Sequence, residues 1–335
     1  MSTFRLSVII PTYNRRESLL VALEALARQS LPPTEFEVIV VSDGSTDGTD
    51  EMIGKWASPF RCRLLQQANA GPSVARNHGA REAAGETLFF LDDDIEASPR
   101  LLKMHAEAQQ EMNNLVLIGP QSQPIGEKYD VWLEWEHRML ENQYRRFESG
   151  EWQAGPNNLY SGNFSVHKKL FFDAGGFDEK FIRQEDVELG YRLADKGAHF
   201  RFEPKASAIH RPNRTLDSWF KTPYLYGVRD VQMARDKGVD QIISLAQKHY
   251  QQRNVITRLI ARLITGKPLV ENTLLELGKK GIATINRTGP RPLGFMLCSL
   301  VFNLRYLQGM SQEMGDRKTL WRTMNGKITD VNHRA

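Results

Sequence analysis

Apolar runs alternate with segments of helical spacing along the front of the chain. "LSVIIP", Leu6 to Pro11, is short, rich in β-branched residues and closed by proline, which predicts a buried strand. "RESLLVALEALARQSL" follows, with Leu19, Leu20, Leu23, Leu26 and Ala27 on one helical face. A second strand, Glu37 to Val41, runs into a turn rich in Asp, Gly, Ser and Thr, and "DEMIGKWA" predicts a helix after it. "RCRLLQQ" predicts a strand, "GPSVARNHGAREAAG" a helix stopped by Gly85, and "ETLFFLDDD" another strand. "RLLKMHAEAQQEM" reads as a helix and "NLVLIGP" as a strand; the aromatic, charged stretch from Val131 to Gly155 reads as helix with a loop. From Asn158 to Pro204 the pattern gives strand, helix stopped at Gly175, loop, helix stopped at Gly197, and strand; "ASAIHRPNRT" ends that strand in a basic loop.

Alternating strands and helices predict an α/β fold, Rossmann-like, with a mostly parallel central sheet flanked by helices. Ligands of such sheets bind beyond the carboxyl ends of the strands. Three polar clusters fall there: "PTYNR" after the first strand, "SDGSTD" after the second, and "DDD" after "TLFFL". They are expected to converge in space.

From about Asp217 the pattern turns helical and basic. "PLGFMLCSLVFNLRYLQG", Pro292 to Gly309, is its most apolar part, but Asn303 and Arg305 interrupt it. It reads as a core helix or an amphipathic helix at a membrane interface, not as a span. Two domains are expected, 1–215 and a helical extension 216–335, the first in two halves of about 1–100 and 101–215.

Charge sharpens this division. Residues 1–204 hold 22 Lys+Arg and 31 Asp+Glu, a net of −9; the rest hold 22 and 9, a net of +13. The acidic part suits a cation, and the basic part suits phosphate groups on a membrane or an anionic substrate, or is simply a solvated face. Ordinary composition argues against disorder. Cys62 and Cys298 match no metal or redox spacing, and the N-terminus shows no secretory h-region, so a cytoplasmic, reducing setting is expected, peripheral to the inner membrane face. No nucleic-acid partner is expected.

The candidate chemistry lies in the clusters. Asp92, Asp93 and Asp94 crowd like charges behind a buried strand, the arrangement by which one or two carboxylates hold Mg²⁺ or Mn²⁺ and leave room for substrate phosphates. A bare acidic turn would follow polar residues instead. Asp43 reads either as part of a turn with Ser45 or Thr46 capping the next helix, or as an outward carboxylate accepting from a nucleoside base. Arg76 is a phosphate clamp or an ion-pair partner of the aspartates. Glu185 and Asp186 at a helix start complement its dipole or supply a general base.

In this order and spacing, "SVIIPTYNR", "VVSDGSTDGT", "NAGPSVARNHGA", "FFLDDDIEASP" and residues 161–197 resemble the family 2 glycosyltransferases of GT-A fold, over roughly the first 210 residues. The resemblance implies inverting transfer of a sugar from a nucleotide diphosphate donor, UDP by default, to an acceptor hydroxyl of a glycan or lipid-linked molecule in cell-envelope or polysaccharide synthesis. It implies that Pro11, Thr12 and Tyr13, with Arg15, line the nucleoside pocket, that Asp43 contacts the base, and that Arg76 serves the donor. Ser42 stands where the family often has a second acid. Asp92 and Asp94 match the ends of a DxD motif, with Asp94 the metal ligand, Asp93 near the ribose or donor sugar, and His210 a further metal or diphosphate contact. Gly162 and Asn163 would border donor sugar and acceptor. Asp186 would be the base, with Glu185 its neighbour. The QxxRW signature of processive synthases is absent, which favours transfer of single sugars. Two other readings remain. A sugar nucleotidyltransferase would want a glycine-rich loop where "PTYNRRES" has none; a non-catalytic glycan-binding scaffold would not need both "DDD" and "ED" intact.

Overall fold

A computed structural model describes residues 4–124, 126–181 and 183–326. The ends of the two expected domains, 1–3 and 327–335, lie outside the described residues.

The strands are β1 (Leu6–Thr12), β2 (Phe36–Asp43), β3 (Arg61–Gln67), β4 (Thr87–Leu91), β5 (Ile95–Ala97), β6 (Leu115–Ile118), β7 (Gln121–Ser122), β8 (Asn163–His167), β9 (His199–Phe202) and β10 (Ala208–His210). The first helices are α1 (Arg16–Ala27), α2 (Thr49–Lys55), α3 (Pro72–Glu82), α4 (Leu101–Ala108), α5 (Val131–Glu148), α6 (Lys168–Asp173) and α7 (Glu185–Asp195). Those that follow are α8 (Leu216–Lys237), α9 (Asp240–Gln251), α10 (Val255–Ile264), α11 (Pro268–Thr288), α12 (Arg291–Glu313) and α13 (Arg317–Met324).

Seven strands form one sheet in the order β3-β2-β1-β4-β8-β6-β9. It is mostly parallel; β8 alone runs against its neighbours β4 and β6. Both faces are covered, so the runs Val8–Ile10 of β1 and Leu88–Leu91 of β4 are continuously apolar rather than alternating. Leu6, Val8, Ile10, Phe89 and Leu91 belong to one core cluster, and Ile9, Leu88 and Phe90 to the other. Parallel pairing of β1 with β2 and β4 brings the carboxyl ends of all three to one edge.

Two short strands were not legible in the sequence. Ile95–Ala97, between the strand that ends in "DDD" and the helix after it, is β5; Ala208–His210, expected as the end of β9, is a separate strand, β10. They pair antiparallel, with His210 opposite Ile95, in a small sheet completed by β7. That pairing carries His210 back to the aspartates.

The chain divides into two compact units, 1–127 with 140–212, and 128–139 with 213–335. Residues 128–139 therefore fall in the second unit, not in the first as the sequence suggests. The reason is local: Asn286 donates to Asp130 and accepts from the Val131 amide, Trp132 donates to the Arg214 carbonyl, and Arg214 pairs with Glu136. Within this unit α8 and α12 cross through glycines. A methyl at Gly227 would strike the Tyr306 carbonyl, and one at Gly309 the Tyr224 carbonyl. Pro292–Gly309 lies in α12, whose Cys298, Val301, Leu304 and Leu307 are buried. No helix among the described residues is long and apolar enough to cross a membrane.

Candidate active site

The three clusters meet. Thr12, at the end of β1, donates from its hydroxyl to Asp93 Oδ2 at 2.7 Å. Arg15 reaches Asp93 Oδ1 at 3.1 Å and Asp94 Oδ2 at 2.7 Å. Asn14 accepts from the Thr46 amide through its side chain and donates its own amide to Ser45 Oγ, which ties "PTYNR" to "SDGSTD". Pro11 is half-buried and Tyr13 is exposed at the same edge.

The expected cap at Ser45 or Thr46 is not formed. Asp47 serves α2 instead, accepting from the Thr49 amide and hydroxyl and from the Arg16 amide. Asp43 is also not outward-facing. It is 4% exposed, and its carboxylate accepts from Gln67 and the amides of Ala70 and Gly71, so it fixes the loop that opens α3. Beside it Ser42 is buried, its hydroxyl without a hydrogen-bond partner among the described residues.

Arg76 joins two distant parts of the chain. Its Nη2 lies 2.7 Å from Asp92 Oδ1 and its Nη1 2.9 Å from Glu185 Oε1. The guanidinium is buried, which works against its charge; Asp92 and Glu185 more than offset this and raise its pKa. Its carbon also lies 5.4 Å from the Phe177 ring centroid. Arg76 thus meets the ion-pair reading, as a partner of Asp92, and it spans from Asp92 to the start of α7.

At that start Asp186 Oδ2 accepts from the Ser161 amide at 3.2 Å, and Oδ1 from the Val187 amide at 2.8 Å. Burial first, then the charge of Glu185, push the Asp186 carboxyl up to about 7. Asp93 is also pushed up to about 7, by burial that Arg15 only partly offsets. Asp94 goes the other way. Burial alone would raise it, but the hydrogen bond and charge of His210, 3.5 Å away, and those of Arg15 hold it below the ordinary range. Burial opposes a charged His210, yet Asp94 and then Asp92 raise its pKa.

Gly162 fits the site because it has no side chain: a Cβ there would stand 2.8 Å from Asp92 Oδ2 and 2.7 Å from Ile95 Cδ1. Asn163 departs from the expected place beside the sugar. It is fully buried, donates to the carbonyls of Pro120 and Ala206, and accepts from His105. It is a scaffold residue, and its partner His105 is held neutral, burial pushing the imidazole down to about 3. His105 is not legible from the sequence, because a lone histidine on a helix carries no distinguishing pattern. Asn14 and Gln184 are the two non-glycine residues with positive φ among the described residues, at 52° and 59°, and each directly precedes a site residue, Arg15 and Glu185. Left-handed backbone at such residues is strained and gathers at functional sites.

Residues 7–172 match the model of the family described as Glycosyl transferase family 2. The chain belongs to glycosyltransferase family 2. It is 32% identical to validoxylamine A glucosyltransferase of Streptomyces hygroscopicus subsp. limoneus over 235 residues, 62% of this chain and 52% of that protein. The chain thus spans about half the length of that relative. Among solved structures, S. aureus TarS 1–349 in complex with UDP-GlcNAc superposes with a TM-score of 0.55 at 20% identity, covering 93% of each chain. Mannosyltransferase PcManGT of Pyrobaculum calidifontis, in complex with GDP-Man and Mn²⁺, gives 0.55 at 18%, covering 96% of this chain and 79% of that one. At these identities the superpositions establish the fold, GT-A, with a helical C-terminal region.

The donor chemistry fits a divalent cation. Asp94 is a hard carboxylate oxygen donor held ionised, and the His210 ring 3.5 Å away would add a nitrogen donor once it gives up its proton. Among the described residues no three His, Cys, Asp or Glu side chains gather to hold a metal by themselves.

Proposed function

We propose that this glycosyltransferase moves a sugar, with inversion, from a nucleotide diphosphate donor to an acceptor hydroxyl of an envelope glycan or glycolipid. The observation that carries this is the Arg76 bridge. Through it the donor-side aspartate Asp92 and the acceptor-side pair Glu185–Asp186 share one site.

In this reading Pro11, Thr12 and Tyr13 border the nucleoside, and Asp43 shapes its pocket by fixing the loop Asn69–Gly71. Asp94, with His210 and Asp92 close by, would hold a divalent cation, which supplies charge neutralisation for the departing diphosphate. Arg15 and Arg76 keep Asp92 and Asp93 turned inward and add positive charge near the diphosphate. Asp186 takes the proton of the acceptor hydroxyl. The acceptor oxygen then bonds to the anomeric carbon from the face opposite the leaving group, and the bond to phosphate oxygen breaks with its electron pair. The Ser161 and Val187 amides hold Asp186 in one orientation. A proton affinity raised toward neutrality suits a general base at that pH. The nucleotide sugars bound by the two superposed structures support the donor class. The basic second unit would meet an anionic membrane or a lipid-linked acceptor.

Calorimetry with UDP, GDP, CDP and dTDP, with and without Mn²⁺, on wild type and Asp94→Ala tests the donor site. Metal-dependent binding of one nucleotide, lost in the variant, is expected. Folded protein that binds none of them would overturn the reading.

A further inference from the structure

Helix α10, "VITRLIARLI", is apolar on two sides. Thr257, Ala261 and Ile264 are buried within the second unit. Val255, Ile256, Leu259 and Leu263 face outward, Ile256 with 71% of its surface exposed. At 3.6 residues per turn these four share an arc of about 100°, and Arg258 and Arg262 lie along one flank of it. A helix at a protein surface normally turns its polar side out. Here the outward side is apolar and rimmed by arginines.

Helix α11 continues the pattern after the short turn Thr265–Lys267. Leu269 is 87% exposed, and Val270, Leu274 and Leu277 are exposed as well, while Glu271, Leu275 and Ile282 are buried. Single exposed leucines need no explanation, but two consecutive helices that both turn a row of them outward do. Charge completes the picture. Residues 253–290 hold seven Lys+Arg against two Glu, and one of those, Glu271, is buried. Neither Arg258 nor Arg262 forms an ion pair among the described residues.

We propose that the outward faces of α10 and α11 form a membrane-docking surface, lying in the plane of a bilayer with anionic headgroups. The apolar row enters the boundary between headgroups and acyl chains, and the arginine stems run along it with their guanidinium groups at lipid phosphates. A second copy of this chain is a poorer occupant. A two-fold contact would set the same cationic patch against itself. Neither α10 nor α11, nor any other described helix, is long and apolar enough to cross a bilayer. Pro292–Gly309, which the sequence leaves open as a core helix or an interfacial one, packs Cys298, Val301, Leu304 and Leu307 of α12 into its own unit, with Leu293 and Met296 exposed near its start. This inference deepens the membrane half of the proposed function, and its failure would leave the transferase reading standing.

The test is flotation of the full chain with phosphatidylcholine vesicles, with and without a one-third share of phosphatidylglycerol. Wild type is expected to bind the anionic vesicles about tenfold or more tightly than the neutral ones, and to release them in high salt. An Ile256→Asp/Leu259→Asp protein, with unchanged circular dichroism and nucleotide binding, should lose vesicle binding. Arg258→Gln/Arg262→Gln, which leaves the apolar row intact, should keep only the weak, salt-insensitive part. Wild type that ignores anionic vesicles overturns the proposal, as does unchanged binding by both variants. A wild type that self-associates in sedimentation, is made monomeric by the aspartates and shows no vesicle binding would assign the face to a second copy and overturn it too.

Discussion

Arg15 Nη1 lies 2.7 Å from Asp94 Oδ2, on the carboxylate proposed above to hold a cation. The guanidinium neutralises Asp94 and Asp93 and thereby competes with a metal for the same oxygens. Arg15→Ala is therefore expected to bind Mn²⁺ more tightly in the absence of nucleotide, by about tenfold, or ~1.4 kcal/mol. Calorimetry of the metal alone measures this. Unchanged or weaker affinity would show that the guanidinium does not stand in the cation's place.

The Arg76 bridge makes a sharper stability prediction. Its guanidinium and Glu185 are both buried. Removing the cation leaves Glu185 and Asp92 without it, so Arg76→Met should lose ~3–5 kcal/mol in urea unfolding. Arg76→Lys should recover little, because an ammonium lacks the planar fork that reaches two carboxylates at once.

Asp186 links pH to both rate and stability. Its pKa is raised from the ordinary 3.8 to about 7, so between those values the folded state holds more proton than the unfolded state. Stability from this group therefore falls as pH rises through that window. Asp186→Asn should match wild type in thermal midpoint below about pH 4 and exceed it increasingly up to about pH 7. The same substitution should lower kcat/KM by about 10²–10⁴, and wild-type kcat/KM should rise with pH as the base ionises near 7. A midpoint difference that shrinks with pH would contradict the assignment.

Gly162→Ala tests the close approach to Asp92. The added methyl must displace Asp92 Oδ2 or Ile95 Cδ1. A cost of ~1–3 kcal/mol in stability is expected for overpacking of this kind. Metal-dependent nucleotide binding should weaken with it, since Asp92 shares its turn with Asp94.

Much of this was readable from local pattern. Buried strands announce themselves as apolar runs, because a parallel sheet covered on both faces admits no polar alternation; β1, β2 and β4 were therefore visible, and with them the edge where Thr12, Arg15 and the aspartates meet. β5 and β10 were not. Three residues are too few to show a period, and each is a strand only because the other pairs with it.

The sequence by itself determined which residue types stand at the strand ends, and hence that carboxylates, arginines and a helix-start acid pair would share one edge. It could not assign their partners. Asp43 turned inward because Gln67 at the end of β3 and the amides of Ala70 and Gly71 reach it, Asn163 became scaffold because two carbonyls and His105 surround it, and Arg76 found Glu185 across 109 positions of chain. The same holds for α10, where leucines that look like core in the sequence face outward because Thr257, Ala261 and Ile264 occupy the packed side. Periodicity fixes that a helix has an apolar face; only packing in three dimensions decides which face is covered, because burial depends on neighbours remote in sequence.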